Sequence, residues 1–106
     1  MGRFVIVAYK PKPGMEIALN AVVGKHLRVL ANERLVTERS AYVMRGNDGT
    51  LVEVFEWLSV EAIASAHANP AVMALWAEFA AVCDYVPLAT LAEAQLMFAE
   101  FEPVSL

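Results

Sequence analysis

The sequence predicts an α+β fold, an antiparallel sheet with helices packed on one of its faces. Three observations carry this reading. Residues 4–9, Phe-Val-Ile-Val-Ala-Tyr, are β-branched and aromatic and nearly continuous in apolar character, as in a central strand covered on both faces. Asn47-Asp48-Gly49 separates two further extended runs and reads as a hairpin turn. Asn69-Pro70 opens a helical stripe, with Asn69 as N-cap and Pro70 at the first helical position.

Each element follows from local chemistry. Pro11, Pro13 and Gly14 end the first strand. A helix over residues 15–31 places Leu19, Val22, Val23, Leu27 and Leu30 on one face, with His26 inside that stripe and Glu16, Lys25 and Arg28 toward the other side. Residues 35–45 read as a strand, and residues 50–57 as its return, with Gly49 in the left-handed conformation between them. A short helix over residues 60–68 has Ser59 as N-cap and Glu61 in its first turn. The stripe of the third helix is Val72, Leu75, Trp76, Phe79 and Cys83. Residues 91–101 have a helix-forming composition.

Length and composition bound the function. The 106 residues make one domain, 1–106. Hydrophobic residues are 58% of the chain, although a domain this small hides only roughly 60–70% of its unfolded surface. That excess calls for a subunit interface, a ligand cavity or both; alanines, which are tolerated on surfaces, are the other account of it. The net charge is −4 and no basic stripe appears, so no nucleic-acid partner is expected. The single cysteine, Cys83, forms no internal disulfide and reads as a small buried apolar residue. The apolar opening is too short for a signal-peptide core, and no segment is long enough to span a membrane. The cytoplasm is the expected location.

The stretch from residue 53 to residue 79, E-V-F-E-W-L-S-V-E-A-I-A-S-A-H-A-N-P-A-V-M-A-L-W-A-E-F, orders an acidic aromatic strand, a short helix closing on His67, and a second helix carrying Trp76 and Phe79. It resembles the antibiotic-biosynthesis-monooxygenase-like families of small dimeric α+β-barrel proteins. The resemblance implies a ferredoxin-like fold, a four-stranded antiparallel sheet with helices on one face. It also implies a homodimer through the sheet face. In the β-α-β-β-α-β order it implies, a closing strand must lie beside the first. That strand is expected at residues 95–102, against helical propensity.

His67 is the leading candidate for chemistry. On the stripe Val60, Ile63, His67 it faces inward or sideways, where an imidazole can act as general base. A structural histidine capping the helix start at Asn69 is the other reading. Trp57 and Trp76 serve as core or as cavity walls, with Trp76 the better wall. Glu53 and Glu56 lie on opposite faces of a central strand, so at least one is covered and needs a partner. Arg45 is the diagonal neighbour expected for Glu53 and Arg39 that for Glu56. The remainder is a carboxyl of raised pKa. His26 reaches the cavity from the other helical wall or is structural. Tyr9, Tyr42 and Tyr85 are phenol donors, and Tyr85 is placed to cover the cavity mouth.

Metal-ligand spacings, a Gly-rich phosphate loop and a nucleophile elbow are absent from the sequence, so neither metal nor cofactor is expected. The resemblance points to a cofactor-independent monooxygenase or related enzyme acting on a small apolar aromatic or quinol-like metabolite. His67 is its proton acceptor, with Trp76, Tyr85, Glu53 and His26 about the ligand. Proton-transfer chemistry by His67 with Glu53, as in an isomerase or decarboxylase, is a further variant. The rival is a non-catalytic homodimer that binds a small apolar ligand. A titratable group pointing into a reachable pocket separates enzyme from binding module.

Overall fold

A computed structural model describes residues 2–106. Five strands form one antiparallel sheet: β1 (Arg3–Pro11), β2 (Tyr42–Arg45), β3 (Leu51–Trp57), β4 (Cys83–Val86) and β5 (Glu102–Pro103). Their order across the sheet is β4-β1-β3-β2-β5. Three helices accompany them: α1 (Glu16–Asn32), α2 (Val60–Ala66) and α3 (Pro70–Val82). This α+β arrangement is consistent with a ferredoxin-like fold, enlarged from the expected four strands by β5 at the β2 edge.

Register decides which side chains meet. Val5 opposes Phe55, Val7 opposes Glu53, and Tyr9 opposes Leu51 on one side and Tyr85 on the other. Residues directly opposite share a face, so Val5, Val7, Tyr9, Leu51, Glu53, Phe55 and Tyr85 all point the same way. The helices cover that face. Leu19, Val22 and Val23 of α1 pack with Leu75 and Phe79 of α3 against Tyr9 and Leu51. Leu30, Ala62, Ala66 and Val72 pack against Phe55 and Trp57.

The caps form as their residue types require. Ser59 accepts from the Ala62 amide at 3.0 Å, and Asn69 Oδ1 accepts from Ala71 and Val72 at 2.9 and 3.2 Å. In the hairpin, Gly46 N–H donates to Thr50 O at 2.9 Å, and Gly49 takes φ +89°. Asp48 Oδ1 accepts from the Thr50 amide at 2.9 Å, which holds the Asp48 carboxyl below the usual range.

Three expectations need correction. The strand expected over residues 35–45 is regular only from Tyr42. Val36 bridges Trp57 and Tyr42 pairs with Val54, so six steps of one strand face three of the other. The surplus residues bulge outward, and Arg39 N–H donates to Thr37 Oγ1 at 3.3 Å instead of to the ladder. The α2 helix ends at Ala66, not Ala68, with His67 as its C-cap.

The third correction concerns the strand beside β1. It is β4, which begins at Cys83 directly after α3, and not residues 95–102. The later tail neither forms a long helix nor pairs with β1. Two short 3-10 turns, Leu88–Thr90 and Ala92–Gln95, carry it over the outer face. There Leu91, Ala94 and Phe101 pack on Ala8, Val52 and Met44. Glu93 accepts from the Asn47 amide at 2.7 Å, tying the tail to the hairpin. Then β5 pairs with Met44 and Arg45 at the opposite edge.

Candidate functional site

A cavity of about 350 Å³ opens between the sheet and the helices, lined by Val5, Val7, Tyr9, His26, Phe55, Trp57, Trp76 and Tyr85. Local structure explains each wall. Alternation along β1 and β3 supplies Val5, Val7, Tyr9, Phe55 and Trp57 from one face. Trp76 follows Leu75 and precedes Phe79 on α3, at the border of that helix's buried stripe. Tyr85 sits on β4 opposite Tyr9 and is half exposed, at the cavity's mouth.

One polar group lies in this apolar wall. His26 is buried in the α1 stripe, and its Nδ1 lies 2.7 Å from Glu53 Oε1. An ionised carboxylate only accepts, so Nδ1 is the nitrogen that donates to it, and in the neutral imidazole Nε2 then carries the lone pair. The Tyr9 hydroxyl donates to the same Oε1 at 2.7 Å. Phe55 and Phe79 stand edge-on to the imidazole, each with its centroid 5.1 Å away. The ring is thus fixed in tautomer by Glu53 and in tilt by two aromatics. Nε2 has no hydrogen-bond partner among the described residues and is not sealed from solvent. With His26 in the cavity lining, Nε2 is its free basic atom.

Tyr9 is a donor and nothing else near neutral pH. Burial, and then the adjacent Glu53, push its phenol far above the ordinary range. Its ring stacks on Phe79 at 4.7 Å. Burial pushes the Tyr85 phenol up to about 12 and the Cys83 thiol up to about 11, so both stay protonated as well.

The sequence-derived candidates are only partly brought together. His26, Trp76 and Tyr85 line the cavity, and Glu53 stands behind His26. His67 does not line it. The buried face of α2 is Ala62 and Ala66 rather than the expected stripe Val60, Ile63, His67, so His67 caps the helix end in an exposed position, its Nδ1 2.9 Å from the Ile63 carbonyl. Its ring rests edge-on against Trp76 at 5.0 Å, behind the cavity wall. Glu53 opposes Val43, but its partners are His26 and Tyr9, whereas Arg45 pairs with Glu102 at 3.2 Å. Glu56 pairs with Arg39 at 2.8 Å. Tyr9 is the central residue that sequence reasoning named only as one of three phenol donors, with Tyr85 preferred. Its signal was register: with Val7 opposite Glu53, Tyr9 is the diagonal neighbour of Glu53.

Among the described residues, no three His, Cys, Asp or Glu side chains converge as a metal site, and no helix is long and apolar enough to cross a membrane. Comparison of the chain with protein-family models, with curated proteins and with solved structures gives no match.

Proposed function

We propose that the chain is a cofactor-independent monooxygenase, or a related proton-abstracting enzyme, acting on a small apolar aromatic or quinol-like metabolite. The observation that carries this is the His26–Glu53 pair. It is an imidazole with Nδ1 fixed on a buried carboxylate at 2.7 Å and Nε2 free at an apolar cavity of about 350 Å³. His26 replaces His67 as the acceptor in this reading.

In the proposed reaction Nε2 takes a proton from the substrate's acidic O–H or C–H, and Glu53 stabilises the imidazolium. The delocalised carbanion gives an electron to O₂ and the two radicals combine, forming a C–O bond and a peroxide anion. The imidazolium returns its proton to the distal oxygen. Loss of water from the hydroperoxide, by breaking O–O and the remaining C–H, leaves a carbonyl. Overall, one CH₂ (or its enol) and one O₂ give one C=O and one H₂O. The dry wall strengthens each charge interaction within.

A homodimer through the sheet's outer face belongs to the same proposal. Phe4, Ile6 and Tyr42 stand exposed there, on the half that the tail leaves uncovered. The binding-module reading rests on the cavity's otherwise apolar wall. His26→Asn separates the two, because its amide can still donate to Glu53 while the basic nitrogen is lost. Oxygen uptake is measured with a panel of hydroxylated naphthalenes, anthrones and hydroquinones. Uptake above the buffer rate that falls by roughly 10²–10⁴ in His26→Asn supports the enzyme. His67→Ala leaves it unchanged. Binding of the panel with no uptake, equal in wild type and His26→Asn, establishes the binding module instead.

A further inference from the structure

Glu53 stands behind His26 at the first cavity and itself borders another, and its role toward His26 uses only one of its oxygens. Oε1 accepts from both Tyr9 and His26. Oε2 has no protein partner among the described residues and, although Glu53 as a whole is only 1% exposed, this oxygen is not sealed from solvent. A carboxylate offers about four acceptor positions, and those on Oε2 are left to water or to the donors of a ligand. The same side chain borders a second cavity of about 360 Å³, separate from the first and lying between α1 and the β2 edge. Val23, Gly24 and Leu27 of α1 form one wall and Ala41 and Val43 another. The last residues form its rim: Val104 N–H donates to Val43 O at 2.9 Å, and Leu106 lies beside the bare backbone of Gly24.

We propose that this second cavity binds a small alkylammonium ion, its N–H donors on Glu53 Oε2 and its hydrocarbon body against Val23, Leu27, Val43 and Val104. The chemistry of the wall selects the class. No Lys or Arg lines either cavity, so no permanent cation balances the buried carboxylate. An ammonium supplies both the missing charge and the missing donors, and charge-assisted hydrogen bonds of this kind are the strong ones. An anionic ligand meets a carboxylate of its own sign. A neutral alcohol supplies a donor without the charge. Around Glu53 and Ser105 the lining side chains are aliphatic, so they take a short chain and give nothing planar to hold an aromatic.

The two cavities are then coupled through one carboxylate. A cation on Oε2 draws on the charge that Oε1 offers to the Nδ1–H of His26, so filling the second cavity weakens the support for a protonated His26. By linkage the effect runs both ways. This inference stands without turnover in the first cavity, since its test reads binding and resonance positions alone.

The test is titration of the full chain with n-hexylammonium and with hexan-1-ol, followed by NMR. A ligand this small is expected to bind with a Kd on the order of 1 mM. The expected result is ammonium binding at least tenfold tighter than alcohol binding, with shifts at Gly24, Ala41 and Val104 and at the His26 ring nitrogens. Glu53→Gln removes the tenfold preference while keeping the alcohol. Val43→Phe, which fills the cavity and keeps Glu53, removes both probes. Equal affinity for the two probes in the wild type overturns the proposal. So does an unchanged preference in Glu53→Gln, or shifts centred on Val5 and Trp76.

Discussion

Tyr9 and Glu53 stand on neighbouring strands as a diagonal pair. Glu53 is opposite Val7, two residues before Tyr9, and the phenol crosses that offset to place its hydroxyl 2.7 Å from Oε1. The same oxygen receives the Nδ1–H of His26, so a strand, its neighbour and a helix converge on one atom. Both of these donors are held in place by other contacts: Tyr9 is stacked on Phe79, and His26 lies between two aromatic edges. The carboxylate is positioned by the fold before any ligand arrives.

Removing the phenol tests this convergence. Tyr9→Phe keeps the stack on Phe79 and deletes one donor to a buried charge. The expected loss is about 1–3 kcal/mol of stability, read by urea unfolding. Glu53→Gln keeps an acceptor for both donors and removes the buried charge, so its stability should match or exceed the wild type. Glu53→Ala leaves two buried donors unpaired and should lose more than Tyr9→Phe. Equal stability of Tyr9→Phe and wild type contradicts the geometry.

Alkaline pH should weaken the fold through the phenols. The native state holds Tyr85 at about 12 and Tyr9 higher still, whereas an unfolded phenol titrates near 10. A raised folded pKa contributes stability that is full below the unfolded value and is lost as pH rises through the window above it. The phenol part of the fall should therefore set in from about pH 10 upward, after an earlier fall from the Cys83 thiol, which the fold raises to about 11, and Tyr9→Phe should flatten the phenol part. Thermal unfolding between pH 8 and pH 11.5, about the unfolded phenol value, checks it. Parallel curves for wild type and variant would show that Tyr9 takes no part.

Signals confined to a few residues were legible in the sequence. Ser59, Asn69-Pro70 and Asn47-Asp48-Gly49 act through their own backbone and form where their residue types require. What depended on distant pairing was not. The closing strand is four residues, Cys-Asp-Tyr-Val, whose first member completes the apolar stripe of α3 and so looks helical. Its identity comes from β1, more than seventy residues earlier in the chain. Residues 91–101 have helical propensity, but their apolar members Leu91, Ala94 and Phe101 are spent on the outer face of the sheet. The histidines show the same limit. Periodicity placed both His26 and His67 on apolar stripes, but α2 buries its small face, Ala62 and Ala66, and only His26 reaches the cavity.

The exit of α1 carries a correctable strain. Leu35 N–H donates to Leu30 O at 3.1 Å and Arg34 N–H to Ala31 O at 3.0 Å, the paired bonds of a Schellman cap. Leu30 and Leu35 make the accompanying apolar contact within one cluster. The cap's left-handed position is Arg34, at φ +59°, where glycine is the usual residue. Arg34→Gly should stabilise the chain by about 1 kcal/mol, because the Cβ penalty there outweighs the added freedom of the unfolded glycine. Denaturant midpoints of the two proteins measure it, and a lower midpoint for the glycine variant would overturn the strain argument.

The outer face of the sheet supplies the last prediction. The tail covers only the end that carries Ala8, Val52 and Met44. At the other end Phe4, Ile6 and Tyr42 are 60%, 52% and 74% exposed, an apolar patch that only Arg39, over the Phe4 ring, partly covers. Phe4 and Ile6 alternate on β1 opposite Glu56 and Val54, and Tyr42 lies beyond Val54 on β2, so the patch is continuous across three strands. A two-fold dimer would bring this patch onto its own copy, since an isologous interface uses the same surface twice. Sedimentation at micromolar concentration should give twice the 11.6 kDa chain mass. Ile6→Lys puts a charge at the centre of the patch and should give a folded monomer, judged by circular dichroism. The His26–Glu53 pair lies on the opposite face, so its hydrogen bond should survive in that monomer. A wild-type chain that sediments as a monomer removes the dimer from the proposal and leaves the cavity argument standing.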